Sequence, residues 1–347
     1  MREEGLKGLR IPIVQAPMAG GPSTPALVRE VGAAGGMGFL AAGYKTAEAM
    51  RQEIAEVRRT SAAPFGVNLF VPQPCESEPG ALDAYRDELQ AEADRYGVSL
   101  PQPEGDEDDA WDAKIAALVA DPVPVVSFTF GLPSRPVAED LHRAGSLLVA
   151  TVTSEAEAAR AATALGMDAL CVQGPDAGGH RGTHDPRAEP GTTPLTALLT
   201  AIRNLTPVPL IAAGGLTTPD SIAEAITAGA SAVQLGTAYL RTPESGAKPA
   251  HKDALADPRF TTTTLTRAFS GRYARGLRNR FIEDHDPTAP AAYPQVNRLT
   301  SPIRAAAAAA GDQDGMALWA GTGFQQATAE PAALVTERLW HQVAGRL

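Results

Sequence analysis

Cysteine is nearly absent: the chain has two among 347 residues, Cys75 and Cys171. That supplies neither a disulfide framework nor a thiolate metal site, so a reducing compartment is expected. Long hydrophobic runs are missing as well. Nothing approaches the ~18 apolar residues of a membrane helix, and Met1–Arg10 has no apolar stretch of the secretion-signal kind. A cytoplasmic location and no membrane partner are therefore expected. Basic residues are in deficit, 30 Lys+Arg against 40 Asp+Glu for a net charge of −10. Without a basic stripe, no nucleic-acid partner is expected. No G-x-G-x-x-G follows a strand, and the glycine-rich Gly32–Gly38 closes a helix rather than opening one, which excludes a Rossmann site. The strand ends carry no carboxylate pair of the glycosidase kind and no His/Cys/Asp set at metal spacing, so no metal is expected.

The acidity that is present is concentrated. Residues 72–122 hold fourteen Asp and Glu against Arg86, Arg95 and Lys114, leaving the rest of the chain close to neutral. At 44% hydrophobic residues the chain can build a large core. Eight short apolar runs alternate with Ala/Leu-rich stretches: Ile11–Gln15, Met37–Ala41, Phe65–Leu69, Val123–Thr129, Leu147–Val152, Ala169–Gln173, Val208–Ala213 and Ala232–Leu235. Helix starts sit between them. Ser23-Thr24-Pro25 and Thr217-Thr218-Pro219 place a capping hydroxyl before a first-turn proline, and Ser154 with Glu157 has capping-box spacing. Gly35-Gly36, Gly166 and Gly229 close helices. Eight strand–helix units predict an α/β fold of the (β/α)8 TIM-barrel type, with the doubly wound sheet as competitor. The whole of 1–347 reads as one domain. Two stretches exceed ordinary loops: an acidic helical insertion at 72–122 after the third strand, with helices near Leu82–Tyr96 and Trp111–Val119, and an extension at 241–303 after the eighth. Pro331–Val343 reads as a final amphipathic helix.

A barrel gathers its active site at the carboxyl ends of its strands. Here those ends are amides, glycines and hydroxyls: Gln15-Ala16-Pro17-Met18, Gly43, Asn68, Phe128, Thr151, Gln173-Gly174, Gly214-Gly215 and Gln234-Leu235-Gly236-Thr237. Such a ring suits a neutral, hydrogen-bonding, phosphate-bearing cofactor. The glycines after the seventh and eighth strands let backbone N–H groups meet a phosphate. Gly178-Gly179 let the loop after the sixth strand wrap a flat ring, with His180 projecting into the barrel mouth as a general base. Cys171 lies inside the sixth strand and reads as a small buried residue. His142, His251, His285 and His341 read as solvated surface residues.

These blocks, in this order, resemble the nitronate monooxygenases, formerly called 2-nitropropane dioxygenases. The likeness rests on Gln15 to Gly21 with Ser23-Thr24-Pro25, on Ala34 to Phe39, Phe65 to Phe70, Gln173 to Gly182, Ala212 to Gly215 and Gln234 to Thr237, and spans nearly the whole chain. The resemblance implies an FMN-dependent barrel that oxidises alkyl nitronates, or nitroalkanes, with O2 to a carbonyl compound and nitrite. It implies that Pro17, Met18 and Asn68 lie against the flavin and that Gln173, Gly178 and Gly179 hold its polar edge. Gly214, Gly215, Gln234, Leu235, Gly236 and Thr237 would surround the phosphate. His180 matches the family's active-site histidine, and Trp319-Ala320-Gly321 its C-terminal motif. Met18 and Phe128 would keep the pocket apolar. Pro175-Asp176 departs from the small residue and Glu often found there. The expected partners are a nitronate and O2, in a monomer or homodimer. The alternative is an FMN-dependent, NAD(P)H-using reductase of the enoyl-ACP reductase type. Arg267, Arg272, Arg275, Arg278 and Arg280 could then receive nucleotide phosphates, where otherwise they form a solvated face.

Overall fold

The computed structural model describes residues 8–74, 78, 80–102 and 108–346. Eight parallel strands lie in one sheet: β1 (Ile13–Gln15), β2 (Gly38–Ala41), β3 (Phe65–Phe70), β4 (Val125–Thr129), β5 (Leu147–Val152), β6 (Ala169–Gln173), β8 (Leu210–Ala213) and β9 (Ala232–Leu235). Their order is β1-β9-β8-β6-β5-β4-β3-β2, and a parallel bridge between Val14 and Met37 joins the two edges. The fold is a (β/α)8 barrel. The remaining strand of this region, β7 (Gly179–His180), belongs to a second, three-stranded antiparallel sheet with β10 (Thr263–Thr266) and β11 (Ala274–Leu277).

Strand alternation divides the core in two. Val14, Met37, Phe39, Val125, Val149, Ala169, Cys171, Ile211, Ala213 and Ala232 fill the barrel interior. Their neighbours face the helices in the larger outer cluster. The helices begin where the caps predict. Thr24 accepts from the Leu27 N–H before the helix Pro25–Ala33. Thr218 and Ser221 form a reciprocal capping box before Pro219–Thr227. Ser154 caps Glu155–Ala164, but Glu157 does not reach back to it: its carboxylate accepts from Thr153 and from the His184 N–H instead.

Within the acidic stretch, the helix Trp111–Ala120 puts Ile115, Ala117 and Leu118 into the barrel's outer core. The helices Ala81–Glu88 and Gln90–Tyr96 pack elsewhere. Tyr85, Leu89 and Ala93 share a cluster with Phe269, Phe281, Val296, Leu299 and Ile303 from the stretch after β9. Glu92 pairs with Arg280 at 2.6 Å, and Glu88 meets His285 at 2.7 Å. Two features that looked separate in sequence, the acidic segment and the arginine-rich stretch, therefore meet at the Glu92–Arg280 pair. That stretch continues into the helix Gln295–Ala310, which runs past 303.

Candidate active site

A cavity of about 520 Å³ opens at the carboxyl ends of the barrel strands. It brings together Pro17, Met18, Asn68, Gln173, Gly178, Gly179, His180, Gly214, Gly215, Gln234, Leu235, Gly236 and Thr237, all expected from the sequence as cofactor-binding or catalytic residues. It also draws in residues the sequence gave no reason to choose, namely Tyr44 and Phe130 at strand ends, Lys248, His251, and Asn297, Ser301 and Arg304 from one helix. No Asp or Glu lines it among the described residues, whereas Lys248 and Arg304 do. In a chain of net charge −10, this leaves a locally cationic vessel suited to anions.

The floor is set by three braced strand ends. After β1, buried Gln15 donates from Nε2 to Ser23 Oγ at 2.9 Å and accepts the Phe39 N–H at 3.0 Å. Ser23 in turn accepts the Met18 N–H, which fixes Pro17-Met18 as an apolar ledge. After β3, Asn68 Oδ1 accepts the hydroxyls of Ser127 (2.8 Å) and Thr129 (3.0 Å). With its oxygen occupied, Asn68 turns its amide N–H donors to the cavity. Phe128 does not line the cavity, contrary to expectation. It sits between Ser127 and Thr129, which do line it, and alternation sends its ring outward to Trp111. Phe130 takes the apolar role. Cys171 lies at the floor, where burial raises its thiol to about 12 and Gln234 donates to Sγ at 3.3 Å.

Glycine at two places is a matter of space. A Cβ on Gly178 would lie 2.4 Å from Gly321 N and 2.5 Å from the Ala320 carbonyl carbon. The Trp319-Ala320-Gly321 segment therefore packs directly on the His180 loop, and Gly321 also donates to Thr237 Oγ1 at 2.9 Å. Gly214 and Gly215 have φ of 106° and 73°, a left-handed pair that side chains rarely adopt. They form one wall of the cavity.

His180 is held from three sides. Its backbone pairs with Ala274 of β11. Gln173 clamps the loop, donating to the His180 carbonyl at 3.0 Å and accepting the Gly182 N–H at 2.8 Å. This commits the Gln173 oxygen and one amide hydrogen to the protein itself. The imidazole contacts Phe130, Tyr293 and Trp319 at ring separations of 5.9, 5.8 and 5.5 Å. Its Nε2 lies 2.9 Å from Ser270 Oγ, and Ser270 gives its own proton to the Arg272 carbonyl at 3.0 Å. With its proton on that carbonyl Ser270 accepts from the ring, an arrangement in which Nε2 carries the hydrogen and Nδ1 is the bare nitrogen. Burial, with the charges of Arg272 and Arg304, lowers His180 to about 3, so it is neutral at physiological pH.

Backbone strain gathers at the same place. Of the four non-glycine residues with positive φ among the described residues, Tyr44 (67°) and Phe130 (78°) line the cavity. The other two, Asp109 and Ala110, stand behind Tyr44. Asp109 Oδ1 accepts the Tyr44 N–H at 2.9 Å while its other oxygen pairs with buried Lys114 at 2.8 Å. Strain of this kind persists where surrounding contacts over-determine it, commonly at functional sites.

Three expectations are corrected. His251 and His285 are buried, not solvated: His251 lines the cavity with its Nε2 unpartnered, and burial lowers it to about 4. The arginines at 267–280 do not form one shared solvated face. Arg267 stacks on Tyr273, Arg272 is buried against Phe130 and the Thr183 carbonyl, Arg275 donates to the Pro175 carbonyl, and Arg278 and Arg280 pair with Glu283 and Glu92. None of the five lines the cavity. His184 donates from Nε2 to the Thr151 carbonyl at 2.9 Å.

The residues fit an FMN-sized group. The volume falls in the range of cofactor pockets, the Pro17-Met18 ledge offers a flat apolar face, and the Asn68 amide supplies donors. The left-handed Gly214-Gly215 wall supplies backbone without side chains.

A family model described as nitronate monooxygenase matches residues 4–338. A probable nitronate monooxygenase from Staphylococcus aureus (strain Newman) is 36% identical over 339 residues, covering 96% of this chain and 95% of its own. The crystal structure of nitroalkane oxidase from Streptomyces ansochromogenes superposes with a TM-score of 0.94 at 52% identity, with 98% of each chain covered. The enoyl reductase domain of MlnA from Bacillus amyloliquefaciens has a TM-score of 0.67 at 12% identity, covering 99% of this chain and 96% of its own, which is a likeness of fold alone.

Proposed function

The chain belongs to the nitronate monooxygenase family, and on that premise we propose that it binds FMN and oxidises alkyl nitronates with O2, releasing a carbonyl compound and nitrite. The family membership makes it an oxidoreductase acting on small nitro compounds. The observation that carries the finer reading is a neutral His180, held at Nε2 by Ser270, lining a cavity with no Asp or Glu among the described residues.

FMN, when bound, supplies the two-electron acceptor that a nitronate needs and that no side chain offers. Pro17-Met18 and the Asn68 amide would hold the ring, and Gly214, Gly215, Gly236 and Thr237 the phosphate end. The protein's own work is placement and charge. A nitronate is already an anion and asks for no base. A neutral nitroalkane must first lose its α-proton, and His180 Nδ1 is the unprotonated nitrogen available to take it. The rings of Phe130, Tyr293 and Trp319 keep water from that side of the imidazole. Ser270 holds the ring while it becomes charged.

The arginines at 267–280, which the reductase alternative would use for nucleotide phosphates, contact protein partners and do not line the cavity. The test is a nitrite and oxygen-uptake assay on propionate 3-nitronate with the purified flavoprotein. Nitrite release matched by O2 consumption supports the proposal. Absence of both, with flavin bound, contradicts it.

A further inference from the structure

Arg304 lines the cavity on the side of the C-terminal helices. It lies on the helix Gln295–Ala310, which presents Asn297, Ser301, Arg304 and Ala308 to the cavity at spacings of three and four residues. The guanidinium is anchored from behind. Its Nε donates to Thr300 Oγ1 at 3.1 Å, and its Nη2 donates to the Asn297 carbonyl at 2.7 Å and to Asn297 Oδ1 at 2.8 Å. Its Nη1 has no partner among the described residues, and no carboxylate pairs with it. A cation removed from water is ordinarily paired; here the cavity takes the place of the counter-ion. The group is near enough to His180 that its charge opposes protonation of the imidazole. Ala305 and Ala308 beside it leave room for a ligand.

We propose that Arg304 is the anion anchor of the substrate: its free Nη1 receives the nitro oxygens while the α-carbon is presented to His180. The proposal rests on the nitronate-oxidising reading and deepens it. It divides the roles within the site, with Arg304 as the cation and His180 as the neutral base. For a nitroalkane, the Cα–H bond breaks and the proton passes to His180 Nδ1. The electron pair forms the C=N π bond and the N=O π pair moves onto oxygen, so negative charge develops beside Arg304 as the proton leaves. That charge offsets the field which had opposed a protonated His180. For a preformed nitronate the charge is present from the start. The anchor then acts in binding, whereas for a nitroalkane it acts mainly in the transition state.

The experiment compares the wild type with Arg304→Gln and Arg304→Lys, using two readouts. The first is calorimetric titration with sodium nitrate, a planar anion of the same O–N–O shape, which needs no turnover. Arg304→Gln should bind nitrate about 10- to 100-fold more weakly, the range of a charged hydrogen bond. Arg304→Lys should recover part of the loss, since it keeps the charge but not the fork. The second is the kinetic split: on a nitronate, KM rises in Arg304→Gln with kcat nearly kept, and on a nitroalkane kcat falls by a similar factor. Nitrate affinity and KM within twofold of the wild type in Arg304→Gln would overturn the proposal, as would a wild type that takes up no nitrate. If Arg304→Gln does not fold, Arg304→Lys carries the comparison, and unaltered nitrate binding and an unaltered KM there overturn it. If the wild type binds nitrate through Arg304 yet oxidises no nitronate, the proposed function fails and the anion anchor stands.

Discussion

Ser270 Oγ lies 2.9 Å from His180 Nε2 and donates its own proton to the Arg272 carbonyl at 3.0 Å, which leaves it as the acceptor for a ring N–H. Ninety positions apart in sequence, the two residues meet through the sheet that joins β7 to β11. The consequence is a fixed tautomer. Ser270→Ala should leave folding intact and lower kcat on a neutral nitroalkane about 5- to 10-fold, the scale of one hydrogen bond. Rates on a preformed nitronate should hold. Equal losses on both substrates would show that Ser270 acts on something other than the base.

Two buried histidines make the protein acid-labile. His251 stays neutral in the fold, lowered to about 4 by burial, against an ordinary value of 6.5. Its contribution is complete above pH 6.5 and is lost as pH falls toward 4, because the unfolded chain takes a proton that the fold refuses. The slope is about 1.4 kcal/mol per pH unit, and His180 adds in the same direction. Urea midpoints should fall steadily between pH 7 and pH 5. His251→Asn should be less sensitive across that interval, and an unchanged slope would show that His251 is not the group responsible.

Asp109 ties the acidic segment to the cavity through the Tyr44 N–H and holds buried Lys114. Asp109→Ala leaves that ammonium without its partner and Tyr44 without its clamp. Stability should drop by about 2 kcal/mol, below the full value for a buried pair because the carboxylate is partly exposed. Thermal melting checks this, and a Tm unchanged within a degree would contradict it.

Gly178 admits no side chain, since a Cβ would meet the backbone of Ala320 and Gly321 within 2.5 Å. Gly178→Ala must push the His180 loop from the Trp319-Ala320-Gly321 segment. Purified Gly178→Ala should carry well under half the flavin of the wild type, read from its visible absorbance per chain. Full flavin content would mean that the loop can move aside without cost to the pocket.

The barrel was legible because each strand–helix unit announces itself locally, through Thr24-Pro25, Thr218-Pro219 and the eight apolar runs. The strand-end glycines and amides were legible because a barrel converts the end of each strand into one rim. What could not be read is what long-range packing decides. Arg304 belongs to an alanine-rich helix and has no motif around it. Tyr44 looks like any residue after Gly43 until Asp109 reaches it from 65 positions away. Phe128 misled because an apolar residue at a strand end fits either face: Asn68 reaches its partners at Ser127 and Thr129, which places 128 on the opposite face. The arginines at 267–280 misled because most of their partners, Phe130, the Thr183 and Pro175 carbonyls and Glu92, are brought to them only by the fold.

The central claim is that bound flavin takes electrons directly from a nitronate. Anaerobic titration of the purified flavoprotein with propionate 3-nitronate, followed at the oxidised-flavin absorbance, tests it most directly. The account predicts bleaching by the nitronate without added NADPH, and recovery of the oxidised spectrum when air is admitted. A spectrum indifferent to the nitronate but bleached rapidly by NADPH would contradict it and favour the reductase.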